Sequence, residues 1–127
     1  MRHDLLADVL SAMTSAIRSG KSELILNFNS KFAMKVLDIF KKEGFIEDFS
    51  QLPEIKGIKI IFNGKLNKCN AIKPRFSAKK DGIEKFEKRY LPAKDFGCLI
   101  LSTNQGLMTH YQLKEKKLGG KLIAYVY

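Results

Sequence analysis

The chain has 127 residues, 45% of them hydrophobic, and its 23 Lys and Arg against 13 Asp and Glu give a formal charge of +10. That length allows one compact core or two small lobes sharing one. No apolar run reaches the roughly 18 residues of a spanning helix, and Met1-Arg2-His3-Asp4 leads into an amphipathic pattern instead of a signal-peptide stretch, so a soluble, intracellular protein is expected.

Leu6, Val9, Leu10, Met13, Ala16 and Ile17 recur at helical spacing, which predicts a first helix capped by Asp4 and ended by Gly20. Glu23 to Phe28 is short, apolar and without helical periodicity, as a strand is. Asn29 or Ser30 can cap a second helix with Ala33, Val36, Leu37 and Phe40 on its apolar face and Gly44 as its stop. Phe45 to Phe49 and Ile58 to Phe62 read as strands joined by a turn through Pro53 and Gly57. Asn63-Gly64 has the left-handed preference of a reversing turn, and Pro74 limits Ala71 to Phe76 to an edge strand or extended segment. Ile83, Phe86 and Tyr90 mark one short helical face that ends before Pro92. Gly97 to Ser102, Gly106 to His110 and Lys121 to Tyr127 supply three more strands. Thr109 and Gln112 have capping-box spacing for a helix over Tyr111 to Leu118, with Gly119 able to take its C′ position. The expected class is α+β: an α-β-α-β-β lobe over residues 1–64 packed on a β-rich lobe with one or two short helices over 65–127.

The positive charge is one-sided. Residues 1–50 hold seven basic and seven acidic side chains, whereas residues 51–127 hold sixteen and six. Between Lys65 and Lys94, ten basic side chains meet only Asp81, Glu84 and Glu87. Such a density suits a polyanion, because each phosphate neutralised releases condensed counterions. Lys73, Arg75, Lys79, Lys80, Lys85 and Arg89 are the candidate phosphate contacts, with solvated charge as the plain alternative for Lys79-Lys80 and Lys88-Arg89.

Catalytic chemistry has little to draw on. Only His3 and His110 titrate near neutrality, and they form no set with a nucleophile or acid; His110 reads as a helix-start residue. Cys69 and Cys98 lie 29 positions apart with no CxxC and no His cluster, so neither zinc nor a disulfide framework is expected, and Cys98 reads as a buried small hydrophobe. Gly119-Gly120-Lys121 ends like a phosphate-binding loop, but Glu115 and Leu122 stand where that motif needs Gly and Ser or Thr. No cofactor, metal, small-molecule substrate or membrane is expected.

Ser102-Thr103-Asn104-Gln105, followed by Gly106, places four small polar side chains between two apolar strands. Ordinary turns have a similar composition. Beside a basic second half, the loop becomes a candidate for reading base edges or ribose hydroxyls while cations position the backbone. Phe86, Tyr90, Tyr111, Tyr125 and Tyr127 are available for base stacking, with core packing the expected role of Phe86, Tyr125 and Tyr127.

Taken together, several blocks resemble the small-subunit ribosomal protein eight family, in its archaeal and eukaryotic cytosolic branch. They are Leu6-Ala7-Asp8, Ser30-Lys31, Gly44-Phe45-Ile46, Gly64 to Cys69, Lys73-Pro74-Arg75-Phe76, Glu84 to Ala93, Phe96-Gly97, Ser102-Thr103 through Gly106, and Gly119 to Tyr127. They cover nearly the whole chain, and the middle block looks archaeal.

The resemblance implies a ribosomal protein that binds a helix of the central domain of small-subunit rRNA early in assembly, beside neighbouring ribosomal proteins in the cytoplasm. It implies RNA contacts at Ser102, Thr103, Asn104, Gln105, Gly106, Gly119, Gly120 and Lys121, and a secondary backbone contact at Ser30 and Lys31, where a helix N-terminus favours phosphate. Asn104 stands where relatives often have Ser or Thr, and Lys56-Gly57 replaces their usual Arg-Ala-Gly turn. The alternative is a free-standing translational regulator or RNA chaperone.

Overall fold

The computed structural model describes residues 5–28, 30–73, 75–79, 81–93 and 96–127. The chain divides into two compact units, Met1–Asn70 and Ala71–Tyr127. Among the described residues it forms four α-helices and two antiparallel sheets, the α+β class expected.

In the first unit, α1 (Leu5–Arg18) turns Leu6, Val9, Leu10, Met13 and Ala16 inward. The expected cap, Asp4, lies outside the described residues. Helix α2 (Lys31–Lys42) begins at Ser30, whose extended backbone lets its Oγ accept the Ala33 N–H at 3.0 Å. Gly44, at φ +83°, ends it. Asn29, the other possible cap, is also outside the described residues. Strands β1 (Glu23–Leu26), β2 (Ile46–Leu52) and β3 (Gly57–Phe62) pair in the order β1-β3-β2.

The β2–β3 turn differs from expectation. Pro53–Ile55 is a short 3-10 turn, and Lys56, not Gly57, takes the left-handed position at φ 52°. Gly57 belongs to β3, opposite Leu52, and is required for another reason: a Cβ there would lie 1.9 Å from the Leu26 carbonyl oxygen. Asn63-Gly64 starts no hairpin, since β4 (Cys69–Ala71) pairs with β8 instead of β3. Asn63 spends its amide locally, donating to the Gly44 carbonyl and accepting the Lys65 N–H, both at 3.0 Å.

A buried hydroxyl closes the end of the first unit. Thr14 Oγ donates to the Cys69 carbonyl at 2.7 Å and accepts the Cys69 N–H at 3.2 Å, so one side chain satisfies both backbone groups of a buried residue.

In the second unit, β8 (Gly119–Val126) pairs with β6 (Cys98–Thr103), which pairs with β7 (Gly106–Thr109); β5 (Ser77–Lys79) also pairs with β8. The core gathers Ile72, Ile83, Phe86, Leu99, Leu101, Met108, Leu113 and Leu122. Helix α3 (Ile83–Tyr90) buries Ile83 and Phe86 and ends at extended Leu91, before Pro92. Helix α4 (His110–Lys116) has the full Thr109–Gln112 capping box. Its left-handed C-terminal residue is Lys117, not Gly119, which opens β8 two residues earlier than expected. Of Ala71 to Phe76, only Ala71 is strand among the described positions, and Pro74 is not among them. No helix among the described residues is long and apolar enough to cross a membrane.

Candidate nucleic-acid interface

The β6–β7 hairpin positions the polar loop. Thr103 and Gly106 are register partners, leaving Asn104 and Gln105 exposed at the turn, and Gly106 adopts φ +107°. Thr103 Oγ donates to the Gly106 carbonyl at 2.9 Å and accepts the Gln105 N–H at 3.1 Å. Its hydroxyl therefore holds the turn's shape, where the sequence suggested an outward-facing group. Ser102 differs: it is half-buried, and its hydroxyl has no hydrogen bond to any described residue.

Register places β8 between this loop and β5. Lys121 pairs with Ser102 on β6 and with Ser77 on β5, while Gly119 pairs with Lys79. Partners in an antiparallel sheet share a face, so an exposed ammonium stands between two serines, with a second lysine one repeat along. Ser77, Ala78, Lys79, Ser102, Thr103, Asn104 and Gly119 to Lys121 line an open groove of about 410 Å³. The glycines keep its floor low: a Cβ on Gly120 would lie 2.7 Å from the Ser102 carbonyl oxygen and 2.9 Å from Thr103 Cγ2.

The groove brings together seven of the residues named from sequence, namely Ser102, Thr103, Asn104, Gly119, Gly120, Lys121 and Lys79. Gln105 and Gly106 lie at the hairpin turn outside its lining, and Lys80 is outside the described residues. Lys73 and Arg75 are exposed before β5, and Lys85 and Arg89 stand on α3. In the first unit, Ser30 and Lys31 border a separate open groove with Met34, Gln51 and Lys56. Sequence reading missed Ser77, because three residues of alternating exposure are too short a period to see.

The remaining reactive groups serve structure. His110 is 1% exposed, and its Nδ1 accepts the Leu99 N–H at 3.0 Å, which leaves Nε2 toward Glu87 Oε1 at 3.4 Å. Lys114 Nζ also pairs with that carboxylate oxygen. Cys98 is buried, as expected, and burial pushes the Cys69 thiol up to about 12 against a smaller opposing effect of the Thr14 hydrogen bond. Among the described residues, no group of His, Cys, Asp and Glu is placed to hold a metal.

Comparison with known proteins gives the class. A family model described as Ribosomal protein S8 matches residues 4–127. The chain belongs to that family, and is a structural ribosomal constituent, not an enzyme. The relatives are named Small ribosomal subunit protein uS8. Those of Thermoplasma volcanium and Thermoplasma acidophilum are each 43% identical over 129 aligned positions, and that of Nanoarchaeum equitans is 44% identical, in every case across 100% of both chains.

Proposed function

We propose that the chain sits in the small subunit of the cytoplasmic ribosome, binds a helix of the central domain of its rRNA through the β5–β8–β6 groove, and so supports subunit assembly. One observation carries this reading: an uncharged hairpin, Ser102 to Gly106, stands beside two exposed lysines, Lys79 and Lys121, in a groove lined by small polar residues. Cations set a salt-sensitive affinity for phosphate, and short polar side chains tell one RNA shape from another. Lys73, Arg75, Lys80 and, in the first unit, Ser30 and Lys31 add backbone contacts. Neighbouring ribosomal proteins complete its surroundings.

The test is crosslinking from the Ser102–Gly106 loop to small-subunit rRNA, with gradient sedimentation of the tagged protein. Crosslinks confined to one rRNA helix and stoichiometric sedimentation with small subunits are expected. Equal affinity for an unrelated regular duplex would sink the specific site, and a protein remaining at the top of the gradient would sink the ribosomal placement.

A further inference from the structure

Helix α3 sorts its charges onto different sides. Glu87 directs a carboxylate oxygen to His110 Nε2 and Lys114 Nζ of α4. Lys85 and Arg89, four residues apart and thus neighbours on one face, are exposed, and their side chains have no hydrogen bond or ion pair with any described residue. Their partners are rings. The Arg89 guanidinium carbon lies 5.4 Å from the Phe76 ring centroid and 5.3 Å from that of Tyr90, and Lys85 Nζ lies 5.0 Å from that of Phe86. Phe76 and Phe86 stack on each other at 5.8 Å, and both pack against the core of the second unit.

An arginine held by aromatic faces keeps the N–H donors at its edge for another molecule, in a fixed planar fork. The rings also restrict a side chain that otherwise loses considerable rotamer freedom on binding. A fork presented edge-on matches two oxygens of one phosphate, which a lysine ammonium meets only as a point charge. Lys85 adds a second positive charge on the same face, and the Lys65–Lys94 segment carries ten basic side chains against Asp81, Glu84 and Glu87, which favours an RNA backbone over an acidic protein.

We propose that this face of α3 is a second rRNA-backbone contact outside the loop groove. In it Arg89 takes one phosphate edge-on, Lys85 neutralises a neighbouring one, and Phe76 and Tyr90 act as positioning residues for the guanidinium. The contact rests on the rRNA-binding reading above and adds a site, a geometry and a dependence on uncharged rings.

The experiment compares full-length variants by binding to small-subunit rRNA across a salt series, with hydroxyl-radical footprinting of the complexes. Arg89→Lys keeps the charge and loses the fork, so affinity drops about fivefold. Arg89→Ala additionally lowers the slope of log K against log salt by up to about 0.9. Phe76→Leu weakens binding without changing charge, and Phe76→Trp restores it, a rescue that a purely structural ring would not give at the RNA. The protections lost in Arg89→Ala differ from those lost in Ser102→Ala.

Wild-type affinity in both Arg89 variants, with Ser102→Ala still weakened, overturns the second contact and leaves the groove standing. Full affinity in Arg89→Lys alone overturns the edge-on geometry. Unchanged rRNA binding with loss of a neighbouring protein from the subunit assigns the face to protein and also overturns the proposal. A wild-type chain that does not select its rRNA helix removes the reading beneath it. If Phe76→Leu fails to fold, as a thermal melt would reveal, the Arg89→Lys comparison decides.

Discussion

Gly120 lies so close to Ser102 that an added Cβ would sit 2.7 Å from the Ser102 carbonyl oxygen, a backbone atom that cannot swing aside. Gly120→Ala therefore pushes β8 from β6 at the groove floor. We expect a loss of about 1–3 kcal/mol, as for other overpacked sites, read from urea unfolding. In protein that remains folded, rRNA affinity falls as well. A variant with native stability and affinity would mean that the strands separate at no cost.

Thr103 and Ser102 should behave differently under small substitutions. Thr103→Val removes both loop hydrogen bonds of the hydroxyl, costing about 0.5–1.5 kcal/mol of stability. Ser102→Ala removes a hydroxyl with no described protein partner, so stability stays within about 0.5 kcal/mol of wild type. Its effect appears in rRNA binding, as a lower affinity with an unchanged salt slope. Equal stability losses from the two variants would refute this division of roles.

Lys121→Gln should do the reverse, reducing the slope of log K against log salt by up to about 0.9 while the cognate helix remains preferred. Filter binding at several salt concentrations measures both quantities. An unaltered slope would take Lys121 out of phosphate contact.

His110→Leu leaves the buried Leu99 N–H without its acceptor. An orphaned buried donor costs about 1–3 kcal/mol, so the melting temperature falls while the folded variant binds rRNA as before. Loss of binding at native stability would give the imidazole a functional role that its burial argues against.

Cys69 adds a pH dependence at the alkaline side. Its thiol ionises at 9.0 ordinarily and at about 12 in the folded chain, where burial raises it. Between those values the unfolded chain has released a proton that the folded chain retains, so stability falls as pH rises. Cys69→Ala removes this component, and its unfolding free energy should decline less steeply over that window. Parallel curves for the two proteins would contradict it.

Helices and caps were legible because their signals are local. Ser30, Gly44 and the Thr109–Gln112 pair act within one turn, and the face of α2 repeats four apolar residues at helical spacing. Turns held by tertiary contacts were not. Gly57 and Gly119 looked like turn residues, yet Lys56 and Lys117 take the left-handed positions, and Gly57 is small because the Leu26 carbonyl of the neighbouring strand β1 occupies the place of a Cβ. Strand β5 was invisible, since its pairing with β8 depends on residues forty or more positions away. The loop of the candidate site was readable as composition. The inward use of Thr103, the Ser102 hydroxyl without a hydrogen bond to any described residue, and the rings against Arg89 depend on tertiary packing that composition does not encode locally.

The hairpin loop from Ser102 to Gly106 carries no charge, and that has a consequence for selectivity. If the groove binds RNA as proposed, added salt competes with Lys79 and Lys121 on any RNA, and cognate and unrelated helices lose affinity by similar factors. Discrimination by the loop would then come from hydrogen bonds and fit, which mobile ions screen little. A crowded ionic environment would thus make the protein let go of everything sooner while leaving its order of preference intact, and the first RNAs released would be the wrong ones.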